Sequence, residues 1–566
     1  MKKSYKNLML LMIPMLVLSF AGFNVKLTAA PTVNIGILYA KYLVEGGGGF
    51  AGHGGQWDGA QMAADEINRA GGINVSGTFE PIVLDFQDEG AYSPTKGTYD
   101  TTITTASMQA MLGKDQFIVG GFRTETTQAA LATLEAWNTG GNTPVPYFIC
   151  GSSETTLING STPAGKWVFR VTPVNGNFLF GAIAGYMREY LLPKVLAPMY
   201  ANSTYPADAP GKVRFAVIAE QLTWTAPILG ALTAPTLYPS YLGPNATTKG
   251  VDGTPYPGYI AVTPGVTYDF ASIVSSLKAE GVHLIITVFT LPEVNDLIHA
   301  VAAANMPAMI VGIDVPGQHQ SHWADLGGST TVASECNYEC FLCWSGTATP
   351  TVPGYSDVFW ANFENYTKSI DPTGASWPVY TGAGAYDAVY GIKAAIEKAG
   401  TTDPNVLLPV IKATQRMGLT GMFMYAQTAN PYEQPNDVLS SETGINWTQG
   451  LARSFMVQWV QNTTVPASPY PNVGAQMNVI SPTDKVYSRK TQIPPAMYAL
   501  AAWDIDFNGK VSLSDLVVLA NAYGSKFGQP GWNIYADLDN SGTIGLTDLV
   551  MLAGHYGLTV PQWPLT

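Results

Sequence analysis

From residue 31 onward, the hydrophobic positions follow two alternating periods. Short β-branched runs such as Val33 to Leu38 predict buried strands. Between these runs, apolar residues recur with a helical period, as in residues 60 to 67, where Gly71-Gly72 ends the pattern. Strands that alternate with helices predict a parallel sheet with crossover helices.

This alternation occurs in two sets. The first set includes strand-like runs at residues 82–86, 117–120 and 147–149, and the second begins at residues 214–219 and continues at 284–289 and 308–311. The pattern predicts an α/β protein of two lobes with parallel sheets. We expect one lobe from residues 31–172 with 345–425, and the other from residues 173–344 with 426–480.

The N-terminus has the three-part pattern of a secretory signal. Lys2, Lys3 and Lys6 precede an apolar run from residue 8 to 23, and small residues end at Thr28-Ala29-Ala30. We therefore predict a signal peptide over residues 1–30 and a secreted protein outside the cytoplasmic membrane. The alternative is an uncleaved membrane anchor, although the run is short for a span.

Composition and charge narrow the choice of partners. The 566 residues are 46% hydrophobic, which supports more than one core, and the net charge is −13. No Lys/Arg cluster is present to neutralise phosphates, so a nucleic-acid surface is excluded. The expected partners are small molecules, proteins or cations.

Three of the four cysteines form a C-x3-C-x2-C pattern. They are Cys336, Cys340 and Cys343, and the fourth is Cys150. This spacing is also used to hold iron–sulfur clusters. An oxidising compartment favours a disulfide instead, with Cys150 as one candidate partner, and the spacing leaves the pairing open.

A glycine-rich stretch from Glu45 to Gly55 lies between the first predicted strand and helix. It is too long for the tight turn of a dinucleotide-binding loop, for which Asp85 would be the ribose acid. We interpret it as a loop that leads to a helix N-terminus at the mouth of a cleft, where free N–H groups favour an anionic group.

Several segments carry a family resemblance. Residues 34–38, the run 59–73 (GAQMAADEINRAGGI), residues 117–121 (FIVGG), the motif Tyr386-Asp387-Ala388 and residues 418–421 (GLTG) occur in the family's order. Together they resemble type I periplasmic binding proteins of the leucine/isoleucine/valine class, over residues 31–495. The resemblance implies a two-lobed, non-enzymatic protein that closes on a small solute, preferably an amino acid or amide, and delivers it to an ABC permease.

The same resemblance implies a ligand site. Loops after the third and fourth strands would hold an amino acid's carboxylate and amino group through Thr124, Ser152 and Ser153. In the second lobe, Trp224 would cover the ligand and Asp314 would receive the amino group. The alternative for each hydroxyl is a loop side chain bonded to its own backbone.

Two residues depart from the family pattern, which has small or hydroxyl residues at the positions of Arg123 and Glu125. We interpret Arg123 as a solvated loop residue, and the alternative is a bidentate pair with a bound carboxylate. The sequence therefore does not decide the class of ligand, which could be a branched-chain amino acid, an amide, urea, a peptide or a sugar.

The C-terminal segment contains a duplicated acidic loop with a 33-residue period, at residues 504–515 and 537–548. Calcium requires oxygen ligands at loop positions 1, 3 and 5, a carbonyl at 7 and an acid at 12, with Gly at 6. The predicted ligands of the two Ca²⁺ sites are Asp504, Asp506, Asn508, the Lys510 carbonyl and Asp515, then Asp537, Asp539, Ser541, the Thr543 carbonyl and Asp548.

A helix with an apolar stripe follows each loop, and the two stripes are expected to pack together. The stripes consist of Leu516, Leu519, Ala520 and Tyr523, and of Leu549, Leu552, Ala553 and Tyr556. This arrangement resembles a type I dockerin over residues 503–557. The resemblance implies binding to a cohesin-bearing protein at the cell surface, with Ser514 and Thr547 as recognition residues. A Pro-rich linker would end the segment before it.

Two alternatives of other classes stay open. Because dockerins often accompany polysaccharide-degrading enzymes, the chain could be an O-glycosyl hydrolase or a glycan-binding component of such a complex. The sequence shows no motif for a glycosidase carboxylate pair, a Gly-x-Ser-x-Gly elbow or His-Glu-x-x-His. The other alternative is a structural or sensory ectodomain.

Overall fold

A computed structural model describes most of the chain between residues 31 and 559. The described ranges are 31–40, 55–90, 92–93, 98–196, 213–242, 247–248, 259–319, 322–327, 335–343, 356–370, 379–419, 421–429, 434–438, 455–461, 475–481, 503–506, 510–526 and 543–559, with single residues 531, 533, 536 and 538. The predicted signal segment 1–30, most of the glycine-rich stretch and the predicted linker after residue 481 lie outside the described residues.

The strands occur in both halves of the two-lobed segment. They are β1 (Val33–Tyr39), β2 (Ile73–Val75), β3 (Thr78–Glu80), β4 (Ile82–Asp88), β5 (Tyr92–Ser93), β6 (Thr98–Tyr99), β7 (Phe117–Gly120), β8 (Tyr147–Ile149), β9 (Val168–Arg170), β10 (Arg214–Glu220), β11 (Thr247–Thr248), β12 (Ile260–Val262), β13 (Leu284–Phe289), β14 (Met309–Asp314), β15 (Glu339–Cys343), β16 (Gln415–Gly418), β17 (Gly421–Met424), β18 (Phe455–Gln461) and β19 (Ala475–Ser481).

The helices lie between these strands and in the C-terminal module. They are α1 (Gly55–Arg69), α2 (Thr101–Met111), α3 (Thr124–Thr139), α4 (Gly176–Tyr186), α5 (Ala226–Thr233), α6 (Tyr238–Leu242), α7 (Phe270–Ala279), α8 (Glu293–Ala303), α9 (His322–Asp325), α10 (Ser356–Ile370), α11 (Tyr380–Ala399), α12 (Pro404–Lys412), α13 (Leu513–Ala522) and α14 (Leu546–Gly554). A π-helical segment, Met187–Leu196, continues α4.

The first lobe is built on a five-stranded sheet of order β4-β1-β7-β8-β9. All neighbouring strands in it are parallel, and Ile35 of β1 lies opposite both Leu84 and Phe117. The β-branched and aromatic residues of these strands form a core with one face of α1 and α11. The carboxyl ends of the parallel strands therefore meet at one edge, where their loops begin.

The second lobe is built on a mixed sheet of order β11-β10-β13-β14-β15-β18-β19, with β12 also paired to β10. The strands from β10 to β15 are parallel, whereas β18 and β19 are antiparallel. Cores lie on both faces of this sheet, and α4 packs into one of them. The predicted α/β fold of two lobes with parallel sheets is confirmed.

One segment packs differently from the expected lobe boundaries. Helix α10, which the sequence placed in the first lobe, packs against that lobe: Phe359 contacts Tyr386 of α11 with ring centroids 4.9 Å apart, and Asn362 donates a hydrogen bond to Glu66 of α1 at 3.3 Å. In contrast, Val438, which was expected in the second lobe, is buried in the core of the first lobe. The reason is tertiary: Asp437 beside it pairs with Arg170 of β9.

The C-terminal module has a small core of its own between α13 and α14. Its buried members include Ile505, Val511, Leu519, Ile544 and Leu552. Tyr523 and Tyr556, predicted for the packed stripes, are exposed instead, and so are Ala520 and Ala553. None of the helices in the described part of the chain is long and apolar enough to cross a membrane.

Candidate functional site

A pocket lies between the two lobes at the carboxyl ends of their parallel strands. Its empty volume, including the part open to solvent, is about 360 Å³. The lining residues are Phe122, Arg123, Thr124, Gly151 and Ser153 from the first lobe, Leu179, Trp224, Thr290, Ile313 and Val315 from the second, and Val174 and Tyr380 from the crossing segments. Residues of both lobes therefore line the same pocket.

The turn after β7 presents Phe122 and Arg123 to this pocket. Gly120 and Gly121 have φ of 141° and 84°, and a Cβ on Gly120 would lie 1.8 Å from the Leu38 carbonyl oxygen. Only glycine fits so close an approach. The buried Glu89 carboxylate then accepts hydrogen bonds from the backbone N–H of Phe122 at 2.8 Å and of Arg123 at 3.2 Å.

Arg123 spans the cleft between the lobes. Its side chain is 2% exposed, and Nη1 donates a hydrogen bond to the Thr290 hydroxyl of the second lobe. The guanidinium also lies 3.9 Å from Glu220 Oε1 and 5.3 Å above the Tyr99 ring. The interpretation of Arg123 as a solvated residue was therefore wrong, because the opposite lobe buries it.

Glu220 holds two lining residues of the second lobe, Trp224 and Thr290, by hydrogen bonds. Its Oε1 accepts hydrogen bonds from Trp224 Nε1 at 3.0 Å and from the Thr290 hydroxyl at 2.5 Å. Burial raises the pKa of Glu220, whereas the nearby Arg123 charge lowers it. Glu220 is not itself a lining residue, so it fixes the positions of the two side chains that are.

The predicted hydroxyl residues occupy different places. Thr124 and Ser153 line the pocket, and the buried Thr124 Oγ1 has no hydrogen-bond partner within the described residues. Ser152 does not line it, because its hydroxyl donates to the Arg123 carbonyl at 2.9 Å and contacts Thr127 Oγ1. The prediction of Ser152 as a ligand contact is corrected: this residue supports the Arg123 turn.

A buried ion pair holds the loop that contains Ser153. Arg170 Nη1 lies 2.7 Å from Asp437 Oδ2, and both side chains are fully buried. Arg170 also donates to the Ser152 carbonyl at 3.1 Å and to the Glu154 carbonyl at 2.5 Å. The guanidinium therefore fixes the loop from both sides of Ser153.

Asp314 does not line the pocket, although its neighbours Ile313 and Val315 do. Its Oδ2 accepts a 2.5 Å hydrogen bond from Thr287. Burial and the nearby Glu339 raise the pKa of Asp314 well above its usual range, and burial raises the pKa of Glu339 to about 7. The predicted role of Asp314 in receiving an amino group is corrected, because its carboxyl belongs to this buried cluster.

The cysteines lie in three separate cores. Cys150 is a buried free thiol in the first-lobe core, and burial raises its pKa. A disulfide from Cys150 to the C-x3-C-x2-C group is therefore not formed. Cys340 faces one core of the second lobe, where it accepts a 3.7 Å hydrogen bond from the Tyr186 hydroxyl, and Cys336 and Cys343 face the other. A disulfide among these three stays a prediction.

The first acidic loop brings three carboxylates together. Asp504, Asp506 and Asp515 each place one oxygen within 4.8 Å of the others. Asp515 also accepts the backbone N–H of Asp506 at 3.1 Å and of Ser512 at 2.7 Å. Asn508, Asp537, Asp539 and Ser541 lie outside the described residues. In the second loop, the Asp548 carboxylate accepts a hydrogen bond from the Gly545 N–H at 2.7 Å. The residues whose carbonyls were predicted as ligands, Lys510 of the first loop and Thr543 of the second, are within the described residues.

Sequence reasoning missed several lining residues. Thr290 follows β13 directly, at the same edge of the sheet where Asp314 ends β14, so the rule that ligands bind at the carboxyl ends of strands could have found it. Tyr380 begins α11 and donates to the Gly151 carbonyl at 3.4 Å. No local pattern marks Tyr380, because the far end of the chain brings it to the cleft.

No protein-family model and no curated protein sequence matches the chain. Solved structures do match. The leucine-, isoleucine-, valine-, threonine- and alanine-binding protein of Brucella ovis, in its closed conformation, shares 13% identity with a TM-score of 0.55, over 78% of this chain and 93% of its own. An ABC-transporter solute-binding protein of Rhodopseudomonas palustris, in complex with 3,4-dihydroxybenzoic acid, shares 13% with a TM-score of 0.52, over 79% and 96%.

A leucine-binding protein of Thermotoga maritima shares 15% identity with a TM-score of 0.51, over 76% of this chain and 97% of its own. At such identities the likeness shows the fold alone. The fold is that of the two-lobed type I periplasmic binding proteins, as the sequence motifs predicted.

Proposed function

We propose that this chain is an extracytoplasmic solute-binding protein that carries an amino acid or related small polar solute to an ABC importer. The observation that supports it most is the pocket between the lobes, to which each lobe contributes both apolar and hydrogen-bonding side chains. A site divided in this way binds its ligand by hinged closure. The proposal assigns the chain no enzymatic activity.

The ligands of proteins with the same fold support a small carboxylate as the solute. One is named for five amino acids, and another holds 3,4-dihydroxybenzoic acid. All of these carry a carboxylate, and Arg123 and Thr124 are suitable donors for one.

Isothermal calorimetry of the purified chain with amino acids, amides, small carboxylates and oligosaccharides tests the proposal. We expect saturable binding of a small solute. The matched pair of variants is Trp224→Ala, which removes a pocket wall, and Trp137→Ala, which removes a Trp on α3 that does not line the pocket. Binding of oligosaccharides alone would favour the polysaccharide-linked alternative, and no binding would favour a structural or sensory ectodomain.

We propose further that the C-terminal module binds calcium. The cluster of Asp504, Asp506 and Asp515 fits Ca²⁺, which prefers carboxylate and carbonyl oxygens. Asp515 also caps α13, so the same residue would join the metal loop to its helix. Bound Ca²⁺ would supply charge neutralisation and folding energy to a module with a small core.

Calcium calorimetry of the full chain tests this site. Two Ca²⁺ per chain are expected, and Asp506→Asn should remove or weaken one of them. Asp325→Asn, which neutralises an exposed acid of the second lobe, is the matched control. The absence of calcium binding by the unaltered chain would refute the proposal.

The module would attach the protein to a cohesin-bearing surface protein. Exposed apolar residues flank the predicted recognition residues Ser514 and Thr547, namely Leu513 with Val517 and Leu546 with Val550. Such exposed pairs favour a protein partner. Capture of the chain by immobilised cohesin modules in calcium, and its loss with a chelator, is the expected result; capture by none of them would contradict the proposal.

A further inference from the structure

We propose that the two calcium loops of the C-terminal module form one cooperative unit, in which the segment after each helix supports the loop of the other repeat. This inference rests on the calcium binding proposed above and adds a coupling between the two sites. It depends on two matching sets of backbone hydrogen bonds that connect the repeats.

The first loop is held by the segment that follows α14. The Val511 N–H donates a hydrogen bond to the Leu558 carbonyl at 2.8 Å, and the Gly557 N–H donates one to the Val511 carbonyl at 2.8 Å. Lys510 forms an antiparallel β-bridge with Thr559. The Lys510 carbonyl is the predicted ligand at loop position 7, so the second repeat holds the backbone that carries a ligand of the first loop.

The second loop is held in the same way by the segment that follows α13. The Ile544 N–H donates a hydrogen bond to the Ser525 carbonyl at 3.0 Å, and the Gly524 N–H donates one to the Ile544 carbonyl at 2.8 Å. Thr543, at loop position 7, forms an antiparallel β-bridge with Lys526. Each of these residues lies 33 positions from its counterpart in the first set, which is the period of the repeat. The support is therefore reciprocal.

The loops also share one core. Val511 and Ile544 are fully buried in a single cluster to which both α13 and α14 contribute. Gly524 and Gly557, with φ of 81° and 89°, allow the chain to leave each helix and turn back towards the other repeat. Neither support can therefore be displaced without disturbing a core that both repeats need.

The predicted last ligand of each loop connects the loop to these supports. Asp515 accepts a hydrogen bond from the Ser512 N–H at 2.7 Å at the start of α13, and Asp548 accepts one from the Gly545 N–H at 2.7 Å at the start of α14. Helix α13 leads to the support of the second loop, and α14 leads to that of the first. A loop that is set for ligation therefore favours the ligating form of the other, and such coupling typically changes affinity by about 5- to 150-fold.

Calcium calorimetry of the full chain measures the coupling. Asp506→Asn and Asp539→Asn each alter a predicted carboxylate ligand of one loop, so each variant gives the association constant of the other loop alone. The product of the two constants of the unaltered chain should exceed the product of these two single-loop constants by about fivefold or more. This comparison holds even if the two loops differ in their own affinities.

Two matched pairs of variants locate the coupling in the supports. Deletion of residues 557–566 removes the support of the first loop and keeps every predicted ligand, whereas deletion of residues 560–566 keeps the support as well. Only the longer deletion should lower the calcium affinity by about fivefold or more. Gly524→Ala places a side chain at a positive φ and should also weaken binding, whereas Gly554→Ala, in α14 with open space around it, should not.

The outcomes separate the inference from the calcium proposal. Two equal products would show that the loops bind independently, which overturns the inference and leaves calcium binding in place. Equal affinities of the two deletions, or of the two glycine variants, would show that the supports do not set the loops. Thermal unfolding in saturating calcium verifies that each variant is folded, and the glycine pair decides if the longer deletion is not. No calcium binding by the unaltered chain would refute both.

Discussion

The buried ion pair between Arg170 and Asp437 offers a sharp test of how the loop that contains Ser153 is held. The change Asp437→Asn keeps the shape of the side chain and removes its charge. Arg170 would then remain fully buried beside two carbonyl oxygens and an amide, without a carboxylate. Breaking a buried pair in this way costs about 3 to 5 kcal/mol, because a buried charge loses its partner.

This free energy converts into a modest thermal shift. The two-lobed segment has roughly 460 residues, and an unfolding entropy of about 2.1 cal/mol/K per residue gives about 1 kcal/mol/K for cooperative unfolding. The midpoint should therefore fall by about 3 to 5 °C. Burial raises the pKa of Asp437 while Arg170 and Asn175 lower it, so the comparison belongs at pH 8, where ionisation is favoured.

The matched control is Glu397→Gln. Glu397 pairs with Lys393 one helical turn away at 2.6 Å, but the side chains are 31% and 27% exposed. Exposed pairs of this kind contribute about 0.5 kcal/mol or less, so the control should shift the midpoint by less than 1 °C. Equal shifts for the two variants, measured by calorimetry or circular dichroism, would show that the buried pair does not hold this loop.

Three further predictions concern other parts of the protein. Burial raises the pKa of Asp115 to about 7 from its ordinary 3.8. The protonated carboxyl therefore stabilises the fold at low pH, and this contribution is lost as the pH rises through 7. Asp115→Asn should accordingly raise the thermal midpoint at pH 8 and leave it unchanged at pH 4. In α1, Gly59→Ala should destabilise the protein by about 1 to 3 kcal/mol in urea unfolding, because the added Cβ would lie 1.9 Å from the Gly382 carbonyl oxygen. The control is Gly230→Ala in α5, where the added Cβ meets open space; it should stabilise the protein by up to about 1 kcal/mol. Thiol titration of the denatured, unreduced protein should find two thiols if the C-x3-C-x2-C group contains a disulfide, and four would contradict that prediction.

The fold was predictable because its signals are local. The strand-like runs located the two sheets, and the predicted helix stop at Gly71-Gly72 lies directly after α1, which ends at Arg69. The lobe boundaries were less predictable. Val438 joins the first lobe because of an ion pair formed across 267 residues, and no local pattern encodes that contact.

The site was predictable only in part. Thr124, Ser153 and Trp224, for which the family resemblance implied ligand contacts, line the pocket, and their contact with a ligand stays a prediction. Ser152 and Asp314 do not, because alignment fixes the position of a residue and not the direction of its side chain. The burial of Arg123 depends on Thr290 and Glu220 in the opposite lobe, so it could not be inferred from a loop sequence.

The contacts of Arg123 across the cleft have a kinetic consequence. They hold the lobes together through protein atoms, and the backbone N–H of Thr223 adds a second link at 3.3 Å to Glu125. If the chain binds a solute as proposed, a closed form supported in this way would be populated before the solute arrives, so less binding energy would be spent on closing and the apparent affinity would rise. The same contacts would have to break before the solute could leave, and they would therefore lengthen its residence time.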